Sequence, residues 1–441
     1  MRKHILIVLL LIVLVIGGIV FWLTRPDVAR VDLAAVTGPR PTISAPRKQL
    51  FPTIAVADAI GWPQGAKPIP AAGLAVDAFA TGLDHPRWLY RLPNGDVLVA
   101  ESNSPPREGG GITGWVMGLL MGKAGAGVPS ANRITLLRDA NGDGVAEQKS
   151  AFMTGLNSPF GMALQGDWLY IGNTDALVRV PYKTGDTKIT AKPELVVKLQ
   201  GGGNHWARNV IADPEGKTLY VTVGSASNIA ENGIEREKYR ANILEVYPAA
   251  KTFRVFAAGL RNPNGMAIEP HTKRLWTVVN ERDMLGSDLA PDYLTQIEMG
   301  DHFGWPWYYW GGYPDQRVEP QNPALQEYSK RPDYALGPHV AALGLTFAGD
   351  AKLGGRFANG AFIGEHGSWN RKPVSGYKVV YVPFGDNGYP AKGAKPIDVL
   401  TGFLNKDGDA QGRPVGVITD TSGALLVADD VGNVIWRVRG K

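Results

Sequence analysis

The chain has no cysteine. That absence excludes disulfides, thiolate nucleophiles, cysteine-bound zinc and a covalently attached c-type haem. No Lys/Arg run is long enough for nucleic acid, and the net charge of +5 is modest, with part of the excess beside a hydrophobic N-terminus. No GxGxxG fingerprint follows a strand, which disfavours a nicotinamide cofactor. No long helical period runs through the body of the chain.

Glycine (55) and proline (32) are abundant and charged residues make up only 20%. That mix suits a β-rich protein with many turns. The 441 residues allow one large domain or two ordinary ones. Twelve tryptophans either fill a core or line a sugar cleft.

Arg2, Lys3 and His4 precede an uncharged run from Ile5 to Thr24, which Arg25 ends. About twenty apolar residues span the roughly 30 Å of a bilayer core. A cleaved signal usually has an apolar stretch of roughly 7–15 residues and a small-x-small site, and neither fits here. Residues 1–24 are therefore expected to be an uncleaved, single-pass anchor. The positive flank keeps the N-terminus cytoplasmic, which implies a bacterial inner-membrane protein whose main domain is periplasmic. Residues 25–71 carry Pro26, Pro39, Pro41, Pro46, Pro52, Pro63, Pro68 and Pro70 and read as an extended linker that becomes ordered as it meets the domain.

From residue 72 to 441 a unit returns. A turn with Pro or Gly leads into an apolar strand, a D/N/G turn and a second β-branched strand. The copies are HPRWLYRLPNGDVLVAES (85–102), SPFGMALQGDWLYIGNTD (158–175), HWARNVIADPEGKTLYVTVGS (205–225), RNPNGMAIEPHTKRLWTVVNE (261–281), GLTFAGDAKLGGRFANGAFIGEHG (344–367) and RPVGVITDTSGALLVADD (413–430). Each is a hairpin that cannot bury its apolar face alone. Six such units stacked radially share one core, so the expected fold is all-β, a six-bladed β-propeller behind an N-terminal transmembrane helix. The turns entering the units then share one face around the axis. Because they carry arginines and histidines, they read as a site for an anionic ligand.

The segments GGGNHWARNV, GLRNPNGMAIEP, TVVNERDMLGSD, GDHFGWPW, EHGSWNR and GRPVG with ADDVGNVIWRV, in this order, resemble the sugar dehydrogenases that use pyrroloquinoline quinone (PQQ). The likeness covers about residues 72–440, and the sorbosone/aldose and pyranose branches look nearer than the glucose branch. It implies oxidation of a sugar or sugar aldehyde at its anomeric or aldehyde carbon. A general base removes the proton, hydride passes to PQQ, and electrons go on to a respiratory quinone or cytochrome.

On this resemblance, Arg261 faces the reactive quinone carbonyl, and Asn262 bonds the same edge. Arg413, with Arg87 and Arg371, holds the cofactor's carboxylates, which suit a planar guanidinium. Each of these arginines has an alternative reading as a partner of blade-end carboxylates. His205 matches the base, with His366 as its rival. Ser225 stands where the glucose branch has an acidic partner for that base, and the other histidines read as turn or surface residues. The resemblance also implies calcium at the segment Glu281-Arg282-Asp283-Met284, with Arg282 and Asp283 as candidate ligands, chiefly through backbone oxygens. A second calcium candidate comes from spacing alone: Asp139, Asn141, Asp143 and Glu147 in DANGDGVAE, which reads equally as a polar turn. In FGWPWYYWGGY, Trp305 and Trp307 are candidates for a sugar-stacking wall or for packing. The glycine-rich apolar stretch 109–130 is an apparent insertion, read as a lid, a membrane or partner contact, or a surface loop. Two other readings remain open: a calcium-dependent lactonase, and a non-catalytic propeller that binds a glycan or protein.

Overall fold

The six sequence units form the first two strands of six successive sheets in the computed structural model, which describes residues 2–47, 53–106 and 111–441. Blade 1 starts with Pro86–Arg91 and Val97–Glu101, blade 2 with Met162–Gln165 and Trp168–Asn173, and blade 3 with Val210–Ala212 and Leu219–Val223. Blade 4 starts with Pro263–Ile268 and Leu275–Val279, blade 5 with Ala342–Phe347 and Gly360–Glu365, and blade 6 with Pro414–Thr419 and Leu425–Asp429. Two further strands complete each blade, all antiparallel. Each innermost strand packs against the next, and blade 6 returns to blade 1, so the ring closes. Hydrogen bonding between the two ends of the domain also closes the ring: Leu74–Thr81, at its start, pairs with Val434–Gly440, at its end, inside blade 6.

Local chemistry explains both the hairpins and the ring. Gly95 turns the first hairpin at φ +94°, a conformation open to glycine. Near the axis the innermost strands approach too closely for side chains. A Cβ on Gly344 would lie 2.1 Å from the Val415 carbonyl oxygen, and one on Gly161 2.2 Å from the Val210 nitrogen. The second strands Val97–Glu101, Leu275–Val279 and Leu425–Asp429 are buried along their whole length. Neighbouring sheets cover both of their faces, as in the cluster of Trp88, Leu98, Phe152, Phe160 and Leu169 between blades 1 and 2.

Antiparallel order gives the ring two distinct ends. Innermost strands begin, and second strands end, at one end, here the upper face. The D/N/G turns lie at the lower face.

The helix Arg2–Thr24 stands clear of the propeller, with its aliphatic residues about half exposed or more. Its stretch His4–Trp22 is long and apolar enough to cross a membrane, with a mean hydropathy of 3.3. Residues 25–71 are more than a linker. The described part is a strap over blades 4, 5 and 6, and Ile69–Pro70 adds a fifth strand to blade 5. Ala29 N–H donates to the Lys372 carbonyl (2.8 Å), Ala55 to Trp369 (2.9 Å) and Ile60 to Ala410 (2.9 Å). Within the insertion 109–130, residues Gly111–Lys123 form a helix; 109 and 110 lie outside the described residues.

Candidate active site

The turns at the upper face bring two polar clusters together around the axis. In the first, His205 (entering blade 3), Arg261 (entering blade 4) and Asn280 and Asp283 (leaving the second strand of blade 4) line a cavity of ≈ 100 Å³ with His339, Ala341 and Gly367–Asn370. Arg261 is held from three sides. Its guanidinium donates to the Glu281 carbonyl (2.6 Å), to Asn228 Oδ1 (2.9 Å) and to Asp283 Oδ2 (3.0 Å). Asp283 Oδ1 also accepts from Asn370 (2.8 Å) and lies 3.6 Å from His339. Burial opposes ionisation of Asp283, but Arg261, His339 and Asn370 outweigh it and hold the carboxyl well below its usual range. The same partner raises His339 despite the cost of burial.

His205 is oriented by Ser225. Its Nδ1 lies 2.8 Å from the Ser225 carbonyl oxygen and 3.1 Å from the Ser225 hydroxyl. A carbonyl only accepts, so Nδ1 carries the hydrogen and Nε2 the lone pair. Burial, reinforced by the Arg261 charge, pushes the imidazole down to about 3. Gly224 makes this arrangement possible: a Cβ there would lie 2.3 Å from Asn262 Oδ1 and 2.6 Å from His205 Cβ.

The second cluster surrounds Asp430, just past the second strand of blade 6. Its carboxylate accepts from Arg87, lies 2.9 Å from His366 Nε2 and 3.4 Å from His85 Nε2. Burial opposes its ionisation, but His366, His85 and Arg87 hold it far below the normal range. Burial lowers His366 to about 4, with Asp430 only partly offsetting it. Arg413 lies against the Tyr377 ring at 4.9 Å and donates to its hydroxyl (2.8 Å). The buried Nε atoms of Arg87 and Arg413 have no protein partner. Arg87 also lies over the ring of Trp206, the residue after His205, at 5.7 Å. His85 and Asp430 border a larger upper-face cavity of ≈ 630 Å³, walled in part by strap residues 59–62.

Several residues singled out from sequence sit elsewhere or are otherwise engaged. Arg371 is buried, and its Nε and Nη1 donate to the carbonyls of Ser287 (2.9 Å) and Pro373 (2.7 Å), which brace its loop. Arg282 is fully buried, paired with Glu281 (3.0 Å) and Asp315 (3.4 Å). Trp305 is buried and donates to the Asn228 carbonyl (2.9 Å). Trp307 donates to the Pro320 carbonyl (2.9 Å). Neither tryptophan lines either of the two upper-face cavities. Asp139, Asp143 and Glu147 do gather, with one oxygen of each within 4.8 Å of the others, but on the lower face. Asp139 accepts the N–H groups of Gly142 and Gly144, Asn141 Oδ1 that of Asp143, and Glu147 that of Ala140, which is the bonding of a polar turn.

His85 and His339 are buried participants, contrary to the expectation of turn or surface residues. Each gains its meaning from a carboxylate remote in sequence: Asp430 for His85 and Asp283 for His339. Asn228, Gly224 and Asp430 were also missed. For Asp430 a signal existed, since pairing places it one residue past Asp429, the counterpart of Glu101 and Glu365.

The TrAA12-like family profile matches residues 68–296 and 287–441, nearly the whole propeller. The chain belongs to the TrAA12-like family. An uncharacterised protein of Borreliella burgdorferi is 30% identical over 295 residues, covering 64% of this chain and 76% of that one. A pyrroloquinoline quinone-dependent pyranose dehydrogenase of Coprinopsis cinerea is 24% identical over 433 residues. That match covers 84% of this chain but spans only about half (54%) of the relative. The Trichoderma reesei protein of carbohydrate-active enzyme family AA12, solved in a calcium form, shares the fold with a TM-score of 0.68 at 18% identity, over 88% of this chain and 99% of that one.

Proposed function

We propose that this family member is a PQQ-dependent dehydrogenase of a sugar or sugar aldehyde, of aldose or sorbosone type, with His205 as its base. The observation that carries the reading is the meeting of His205 and Arg261, from successive blades, at one cavity lined by polar groups.

The donor set suits a polycarboxylate quinone. Arg87 and Arg413 each keep a buried, unpartnered Nε–H, and a guanidinium is the preferred partner of a carboxylate. Leaving such donors unmet costs about 1–3 kcal/mol each, which a carboxylated ligand would recover. When bound, PQQ supplies an electrophilic orthoquinone that accepts hydride. The chain's own residues do the rest. Arg261, fixed by Glu281, Asn228 and Asp283, presents a pre-set positive charge where negative charge develops, with Asn262 beside it. His205 presents a neutral Nε2 to the proton of the substrate hydroxyl. An imidazole at about 3 is a poor base. Negative charge brought against Arg261 by the ligand would cancel part of that depression and strengthen it. His366 is the weaker candidate, because its Nε2 is already directed at Asp430. The His205 cavity alone is smaller than the roughly 300–1,000 Å³ typical of such ligands, so the proposed cofactor extends beyond it at the upper face.

The calcium expected at residues 281–284 does not fit. The Glu281 carbonyl accepts from Arg261 (2.6 Å), and Arg317 Nη1 bridges those of Asp283 (3.0 Å) and Met284 (3.1 Å). Three guanidiniums, of Arg261, Arg282 and Arg317, already match the carboxylates of Asp283, Glu281 and Asp315. A divalent cation would add uncompensated charge among them. The same crowding weighs against a calcium-dependent lactonase at this segment.

In this reading the apolar helix His4–Trp22 is a membrane span, and Arg2 and Lys3 before it support a periplasmic propeller beside respiratory acceptors. The test is dye reduction by the purified chain with PQQ and a panel of aldoses and sugar aldehydes. Turnover that needs PQQ and is lost in Arg261→Ala supports the reading. Lactone cleavage without PQQ, or full turnover by Arg261→Ala, overturns it.

A further inference from the structure

We infer that the upper face, which carries the site, is docked on the lipid bilayer that holds the N-terminal helix. The inference rests on reading His4–Trp22 as a membrane span and is independent of the cofactor.

The first observation is a clasp at the base of that helix. Asp27 lies three residues past Thr24, where the helix ends. Its Oδ2 accepts the Ser287 N–H (2.6 Å) and pairs with Arg47 (3.0 Å), which also pairs with buried Asp288 (2.6 Å). Ser287 and Asp288 lie in the upper loop of blade 4. Three extended residues reach at most about 11 Å. The edge of the upper face is therefore fixed within that distance of the helix end at Thr24. Arg25 lies over the Trp22 ring at 5.8 Å, a pairing suited to the headgroup layer.

The second observation is another apolar element at the same end of the ring. Helix Gly111–Lys123 lies between the second and third strands of blade 1, whose junction is at the upper face. Its sequence, GITGWVMGLLMGK, has no charge before Lys123, and Leu119 is 54% exposed. Lys123 is tied to the strap through Asp58 (3.2 Å) and through its carbonyl, which accepts from Ala59.

The third is what lies between. Val28, Ile54 and Ile60 of the strap and Val128 of the blade 1 loop are all exposed at this face. Apolar surface left in water forgoes about 25 cal/mol per Å², and a contiguous patch marks an interaction surface. The lower-face turns read PNGD, DANGDG, PEGK and TSG, a polar set suited to solvent. Beside the charged blade 3 loop, with exposed Glu231, Glu235, Arg236 and Lys238, this ring end gathers exposed apolar residues and is chained to the span, whereas the turns at the other end are polar apart from Val145. The occupant that fits is the bilayer.

The missing cysteines make the test clean. Single-cysteine variants L119C and I60C report the upper face, and V145C, in a lower-face turn, serves as control. Each full-length variant is labelled with an environment-sensitive fluorophore and reconstituted into phosphatidylcholine/phosphatidylglycerol vesicles with and without brominated acyl chains. Quenching of at least about 2-fold at 119 and 60, with none at 145, is expected. If Leu119→Cys fails to fold, Ile60→Cys carries the test. Quenching at 145 equal to that at 119 and 60, or none at either upper position, overturns the docking. Failure of the full chain to enter vesicles overturns the span on which it rests.

Discussion

Gly224 offers a sharp test of how the site is built. It follows the second strand of blade 3, and its backbone lies outside the left-handed region, so alanine is conformationally allowed. The cost of Gly224→Ala is therefore steric and local. The new Cβ would meet Asn262 Oδ1 at 2.3 Å and His205 Cβ at 2.6 Å, where ordinary contact begins near 3.4 Å. Both side chains must retreat by about 1 Å, and a misplacement of that size costs on the order of 100-fold in rate. Overpacking of this kind destabilises by about 1–3 kcal/mol, which leaves a folded protein. The assay is PQQ-dependent dye reduction beside a thermal melt. Gly355→Ala is the control, since nothing lies within 4 Å of its Cβ. The expected result is a fall of about 100-fold in kcat/KM with a modest loss of Tm. Wild-type turnover by a folded Gly224→Ala protein would refute the placement of His205 and Asn262 in the reacting site.

Other perturbations follow from the buried charges. Arg261 helps to depress His205, so Arg261→Met should raise that imidazole above about 3, whereas Asp283→Asn should lower it; histidine NMR titration reads both, and an unchanged value in Arg261→Met contradicts the coupling. Burial raises Glu365 to about 8. Between its unfolded value near 4.5 and 8 the folded state holds a proton that the unfolded state has released, so stability falls as pH rises through that window. Glu365→Gln removes this contribution. Its advantage over wild type in urea unfolding should grow by up to about 1.4 kcal/mol per pH unit between pH 5 and 8, and parallel curves would dismiss the assignment.

What could be read from sequence was what is local. Each inner hairpin carries its own signal, an apolar strand, a turn such as the one at Gly95 and a second strand, so six blades were visible before any coordinates. The upper-face placement of Arg261, Arg413 and His205 follows from the same register. Partnership was not visible, because it joins residues tens to hundreds of positions apart. Arg47 meets Asp288 241 residues away, which turns a proline-rich linker into a strap. His85 finds Asp430 only once the ring has closed, and Arg371 finds the Ser287 carbonyl only once blades 4 and 5 stand side by side. Calcium at 281–284 was inferred from a likeness of segments, but Arg317, from a long excursion of blade 4, reaches two of those carbonyls. The Trp305 run suits sugar and packing equally by residue type, and only the fold shows that Trp305 is buried while Trp307 is partly exposed.

The upper face is expected to bind a carboxylated quinone. Equilibrium titration of the full chain with PQQ, read by tryptophan fluorescence, measures this directly, since Trp369 lines the cavity and Trp206 adjoins Arg87. The prediction is saturable one-to-one binding, weakened about 10- to 100-fold by Arg413→Ala through loss of a charge-assisted contact. No saturable binding, or an affinity indifferent to Arg413, would contradict it.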